Sequence, residues 1–181
     1  MYRKQNTITD RIWACLVYAV PVIEVLQLGF LIFAFIPQLK WVFLPFALLQ
    51  PIYFLPVGGI AVVEWGIFLT LFIGVARNRS YNYLIRFNTM QSLLLGIGTA
   101  LCNAFLSLFI DSKRLALFAI EPGGGIGGLL NQGLDFVILA ITGSLAFIIV
   151  IGCVIYAVIQ TGRGEIAEIP VISEAANSQV Y

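Results

Sequence analysis

The chain has 181 residues, 60% of them hydrophobic and 10% charged, with a formal net charge of +1 and a mean hydropathy of +0.98. A soluble domain carries about 25% charged residues, so this is the composition of an integral membrane protein, and without a basic tract it excludes nucleic acid as a partner. There is no histidine, and the three cysteines (Cys15, Cys102, Cys153) stand far apart in apolar blocks. That excludes a zinc site, a histidine-ligated haem and a Ser-His or Cys-His pair. The thiols read as small buried hydrophobes, and no catalytic residue, metal or cofactor is expected.

About 20 apolar residues cross the hydrocarbon layer as a helix, and four blocks qualify. The expected fold is all-α: one polytopic membrane domain with four transmembrane helices and a Pro-rich interfacial or re-entrant segment between the first two. The first span covers residues 12–35. Thr7 and Asp10 before it have capping-box spacing. Pro21 removes a backbone donor inside it, with Glu24 and Gln27 following, so a kinked or broken helix is expected.

Residues 41–56 are uncharged but short, with Pro45, Pro51 and Pro56. Irregular backbone cannot face lipid, so this stretch is the interfacial or re-entrant piece, with Trp41 and Tyr53 suited to the headgroup layer. The second span is residues 57–76, with Glu64 in its middle. The third is residues 83–110 and the fourth residues 136–159. Residues 121–133 form a glycine-rich loop. Gly123, Gly125 and Gly128 satisfy GxGxxG there, but a dinucleotide site needs a preceding strand, a following helix and an acid about 20 residues on; a connecting loop fits better. Residues 161–181 read as a polar C-terminal tail with a short Ile169–Ile172 apolar patch.

Four spans put both termini on one side. Arg3, Lys4, Arg11, Arg77, Arg79, Arg86 and Arg163 fall on that side, against Lys40, Lys113 and Arg114 on the other. The positive-inside rule therefore puts both termini on the cytoplasmic or stromal side. The sequon at Asn78 then lies on the wrong side for glycosylation. No internal repeat supports an inverted-repeat transporter.

The third span carries the clearest pattern. Asn88, Ser92, Gly96, Thr99, Asn103 and Ser107 recur every three or four residues and share one helix face. Lipid would leave their amides unsatisfied at a cost of several kcal/mol, so that face meets another helix or lines a hydrated path. Small and polar residues are the usual glue between membrane helices. Glu24 and Glu64 are the carboxylates deep within spans and are functional candidates by position. Glu64 is expected to face the polar stripe; Glu24, at a helix break, reads equally as a hydrated interfacial residue.

Between spans two and three, Arg77 and Arg79 read as topology determinants. Arg86, Asn88 and Gln91 at the helix entrance are candidates for docking lipid headgroups or a partner's carboxylate. Arg77-Asn-Arg79 with Leu84-Ile-Arg-Phe-Asn-Thr-Met-Gln91 resembles the signature of the twenty-kilodalton component family of the chloroplast inner-envelope translocon (Tic). Further matches are Asp10-Arg11, Leu16-Val-Tyr-Ala-Val-Pro21, Leu26-Gln-Leu-Gly29 and Glu168-Ile-Pro-Val-Ile-Ser-Glu-Ala-Ala176, in order through nearly the whole chain. The resemblance implies four membrane helices, stromal termini and membership of a multi-subunit complex moving precursor proteins. Glu64 has no expected counterpart in that pattern. An N-terminus without transit-peptide character points to the cyanobacterial or plastid-encoded branch.

The leading expectation is thus a non-enzymatic membrane subunit of a protein-translocation complex in a cyanobacterial membrane or plastid inner envelope. Its partners would be lipids, other membrane subunits and a translocating polypeptide. Four helices fill their own core, so a conducting path would need partner subunits. The alternatives are a structural or assembly subunit of a photosynthetic or other bioenergetic complex, and a small oligomeric ion or solute channel.

Overall fold

The computed structural model describes residues 7–108 and 134–180. The glycine-rich loop, with Lys113 and Arg114, and the basic Arg3-Lys4 pair lie outside the described residues. Among the described residues, three helices are long and apolar enough to cross a membrane: Ile8–Phe35 taken through its bends, Tyr83–Ser107 and Phe136–Arg163.

The first of these is broken into α1 (Ile8–Leu16), α2 (Ala19–Val25), a 3-10 turn (Leu26–Gly29) and α3 (Phe30–Phe35). Its start has the expected capping box: Asp10 N–H donates to Thr7 Oγ1 at 3.2 Å, and Thr7 N–H donates to the Asp10 carboxylate at 3.0 Å. The break falls at Val17–Tyr18, because Pro21 sits in the first turn of α2, where a missing N–H costs least.

The stretch expected as an irregular interfacial segment is instead a regular helix, α4 (Leu39–Tyr53), with Pro45 and Pro51 inside it. Each proline removes one ladder donor, whereas an open backbone in lipid would leave every N–H and C=O bare, so the helix wins. Tyr53, expected to suit the headgroup layer, is 4% exposed and turned into the bundle. Trp41 remains exposed.

The second expected span starts later than its hydropathy indicates. Residues 56–61 form a two-stranded hairpin, Pro56–Val57 against Ile60–Ala61. Gly58 and Gly59 have φ of 63° and 84° at its turn, a conformation that favours glycine. The helix then runs as α5 (Val62–Leu69) and a π-helical turn (Thr70–Ala76). At 1.5 Å per residue, Val62–Ala76 reaches only about 22 Å, short of the ~30 Å hydrocarbon layer.

The third expected span is α6 (Tyr83–Ser107), and the fourth expected span is α7 (Leu134–Arg163). α7 ends at Gly164 (φ 84°), whose N–H donates to Thr161 O at 2.9 Å while Glu165 N–H donates to Gln160 O at 3.0 Å. This is the paired closing bond of a Schellman cap. Arg11 lies over that helix end and donates to Gly162 O at 3.3 Å, a cation on the negative pole of the helix. The C-terminal stretch expected as a polar tail contains a further helix, α8 (Ile172–Val180), which packs through Ala176 and Val180 against Ala76, Phe87 and Met90.

Hydrogen bonds give the directions. Asn82 reaches Asp10 at 3.3 Å, Ser92 reaches Val17, and Asn103 reaches the Glu24 carbonyl at 3.4 Å. The partners advance together along both chains, so α1–α3 and α6 run parallel. α7 runs antiparallel to both, with Thr161 beside Asn88 and Phe147 against Gly29. Residues 36–82 therefore return from the far end of the bundle to the end where α1 begins. Phe33 of α3, Phe43 of α4 and Phe147 of α7 close the far half as three edge-on ring pairs 5.4–5.8 Å apart.

Candidate functional site

Polar residues of α6 converge on two places. The first is a closed knot near the start of the bundle. Asn88 and Gln91 are fully buried. The Tyr18 hydroxyl lies 2.8 Å from both Asn88 Oδ1 and Gln91 Oε1, so its one proton serves the two acceptors in turn. Thr161 Oγ1 of α7 donates to the same Asn88 oxygen at 2.8 Å, and Asn88 Nδ2 donates to Leu84 O. Gln91 Nε2 donates to Ala167 O at 3.2 Å and Ser173 Oγ at 3.0 Å, tying in the segment before α8. Four separate pieces of chain meet on two amides, and every bond stays within the chain.

Next along the stripe, Ser92 Oγ donates to Val17 O at 2.7 Å. Thr99 is buried and bonds back to Leu95 O, Ser107 is exposed and bonds to Ala104 O, and Asn103 reaches Glu24 O. The expected polar face thus meets α1 and α2 over most of its length, as a packing surface.

The second place is built on Glu24. It is 6% exposed, in α2, where the following 3-10 turn tightens the ladder. Side chains supply donors to the carbonyls beside that transition: Gln50 Nε2 to Ile23 O at 2.9 Å, and Asn103 to Glu24 O. Tyr53 Oη of α4 donates to Glu24 Oε1 at 2.6 Å. Gly96 of α6 makes room for the carboxylate, since a Cβ there would lie 2.8 Å from Glu24 Oε2. A cavity of about 420 Å³ adjoins the carboxylate, bounded by Tyr53, Trp65, Phe68, Gly96 and Leu101, with Glu64 also on its wall. Glu64 therefore shares a cavity with one member of the stripe, Gly96, and with Glu24. Glu24, read equally as a hydrated interfacial residue, is buried within the bundle.

Arg86 is turned inward as well. Its Nε donates to Ala76 O at 3.1 Å and its Nη2 donates to Val180 O, clamping the π-helical turn and α8 to the start of α6. Asn88 and Gln91, read with it as docking residues, are internal ties. Sequence reasoning missed Tyr18, Gln50, Tyr53, Thr161 and Ser173. Tyr18, Gln50 and Tyr53 are polar residues in apolar stretches, which was the available signal; the partners named above for all five lie at least 27 residues away in sequence.

Residues 4–120 match the family described as chloroplast import apparatus Tic20-like. A Tic20 family protein of Synechocystis sp. is 33% identical over 172 residues, covering 94% of this chain and 92% of the relative. Protein TIC 20-II, chloroplastic, of Arabidopsis thaliana is 28% identical over 172 residues, covering 95% of this chain and 73% of the relative. No solved structure matches the chain. With its helical membrane fold and a family match running from α1 through α6, this chain belongs to the Tic20-like family of translocon-related membrane proteins.

Proposed function

We propose that the chain is a membrane subunit of a protein-translocation complex whose own helices are sealed, so that a polypeptide path forms only between it and partner subunits. The observation that carries this reading is the α6 stripe: its buried amides and hydroxyls are satisfied by α1, α2, α7 and the segment before α8. A helix face occupied in this way is a packing surface rather than the wall of a water-lined groove. The cavity at Glu24 lies instead between α2, α5 and α6.

The membrane crossing by residues 36–82 is, in this reading, made of two half-length helices. α4 lies along the far half, with Phe43 at Phe33 and Tyr53 at Glu24. α5 and the π-helical turn lie along the near half, with Glu64 on the Glu24 cavity and Val75 packed on Ala14, Leu84 and Ile85. Four crossings result, with both termini at the end that collects Arg11, Arg77, Arg79, Arg86 and Arg163; that end faces the cytoplasm or stroma.

Purification of the tagged full chain from its native membrane in mild detergent tests the role. Recovery of translocon subunits, with arrested precursor chains when import is stalled, supports it. Recovery of a single pigment or redox complex instead assigns the chain to bioenergetic assembly.

A further inference from the structure

Glu24 holds an oxygen that the fold leaves unused. Oε1 accepts from Tyr53, but Oε2 packs against Gly96, closed to solvent, with no hydrogen-bond partner among the described residues. A buried carboxylate oxygen without a donor is costly. The adjoining cavity has the volume of a ligand pocket, about 420 Å³. Its charged lining residues are both acidic, Glu24 and Glu64, and Trp65 and Phe68 add ring surfaces that attract cations. Every complementary feature is that of a cationic N–H donor on an apolar body.

Depth decides the carrier. Gly96 is near the middle of the 25-residue α6, whereas a lipid amine sits at the headgroup level, about 15 Å from the bilayer centre. A cation at mid-depth has to arrive on a segment that itself spans the membrane. We propose that this cavity receives the Lys or Arg side chain of an apolar helix from another polypeptide, its cationic N–H groups pairing with the Glu24 carboxylate and with Glu64 at the wall. The proposal rests on the translocation reading only for the source of that helix, a partner subunit or a membrane-inserted segment of a precursor.

The test uses the full chain in phosphatidylcholine nanodiscs, with a photo-crosslinking amino acid at Leu101, which lines the cavity and is 66% exposed. The probes are about 20-residue apolar helical peptides carrying a central Lys, Leu or Glu. The Lys peptide is expected to crosslink at least about tenfold more than the Leu peptide, equivalent to 1.4 kcal/mol, with the Glu peptide lowest. Glu24→Gln, which keeps an acceptor for Tyr53, and Gly96→Ala, which fills the space at Oε2, should each reduce the Lys yield to the Leu level. Equal yields for Lys and Leu peptides on the unaltered protein overturn the proposal whatever the variants do. So does an undiminished Lys preference in both variants, or loss of Lys-peptide crosslinking when phosphatidylethanolamine is the disc lipid, which would make a lipid amine the occupant. Because no translocon component is present, a positive result alongside failed translocon co-purification would remove the translocation reading and leave the site standing.

Discussion

Ser92 donates its hydroxyl to the Val17 carbonyl at 2.7 Å, and Val17 is the residue whose α-helical donor Pro21 lacks. In its place this carbonyl receives a turn-like backbone contact from Val20 N–H at 3.3 Å. A proline that breaks the first span thereby creates an acceptor, and a serine on the third span fills it. The break and the polar stripe are two halves of one joint.

Removing one half should change the worth of the other. Ser92→Ala should destabilise the protein by about 0.6 kcal/mol and by less than about 2 kcal/mol, the range measured for hydrogen bonds between membrane helices. In a Pro21→Ala background the residue 21 N–H can reach Val17 O, and the cost of Ser92→Ala should shrink. A double-mutant cycle from denaturant titrations in mixed micelles reads this coupling; additive costs would show that the bond is incidental.

The knot at Asn88 should be more sensitive. Asn88→Leu leaves the Thr161 hydroxyl buried without its acceptor and Tyr18 with Gln91 Oε1 alone, at a cost of about 1–3 kcal/mol. Tyr18→Phe should cost less, because Thr161 still serves the Asn88 oxygen and only Gln91 Oε1 loses its donor. Comparing the two variants in the same micelle titration checks the order.

Close packing at Gly29 gives a third expectation. A Cβ there would lie 2.8 Å from the Phe147 ring and 2.9 Å from Phe33. Gly29→Ala should destabilise by about 1–3 kcal/mol, and trimming the ring with Phe147→Leu should recover part of that loss. The double variant's midpoint relative to Phe147→Leu alone is the measurement.

Arg86 clamps α8 through its bond to Val180 O while holding Ala76 O. Arg86→Gln shortens the side chain and removes the guanidinium fork, so α8 should detach while the three long helices stay folded. Limited proteolysis of reconstituted protein should then cut within residues 165–180 several times faster, with the circular-dichroism spectrum little changed. Unchanged protection would mean that Ala176 and Val180 hold α8 without the arginine.

The long apolar helices, the break near Pro21, the capping box and the shared face of the α6 stripe were legible because each depends on local spacing and on the bilayer's length requirement. Other features depend on contacts far apart in sequence and were not. Tyr53 looked interfacial beside Pro51 and Pro56, yet it serves Glu24 from 29 residues away. The segment 41–56 looked irregular, and therefore interfacial, because its prolines read as helix breakers rather than as the loss of one ladder donor each. Hydropathy also extended the second span through Val57–Ala61, where the two left-handed glycines turn the chain into a hairpin. Arg86, Asn88 and Gln91 looked like an outward docking surface because their internal partners, Val180, Tyr18, Thr161 and Ala167, lie near the two ends of the chain.

The central claim is that the α6 polar face is a seal within the chain and that any polypeptide path lies outside it. Photo-crosslinkers placed one at a time at Thr99, on the sealed face, and at Leu101, on the exposed cavity wall, test it during active translocation of a precursor. Leu101 should crosslink to partner subunits or to the precursor, and Thr99 only within its own chain. A strong adduct between Thr99 and the precursor would contradict the account, because it would put the translocating polypeptide on the face that α1 and α2 cover.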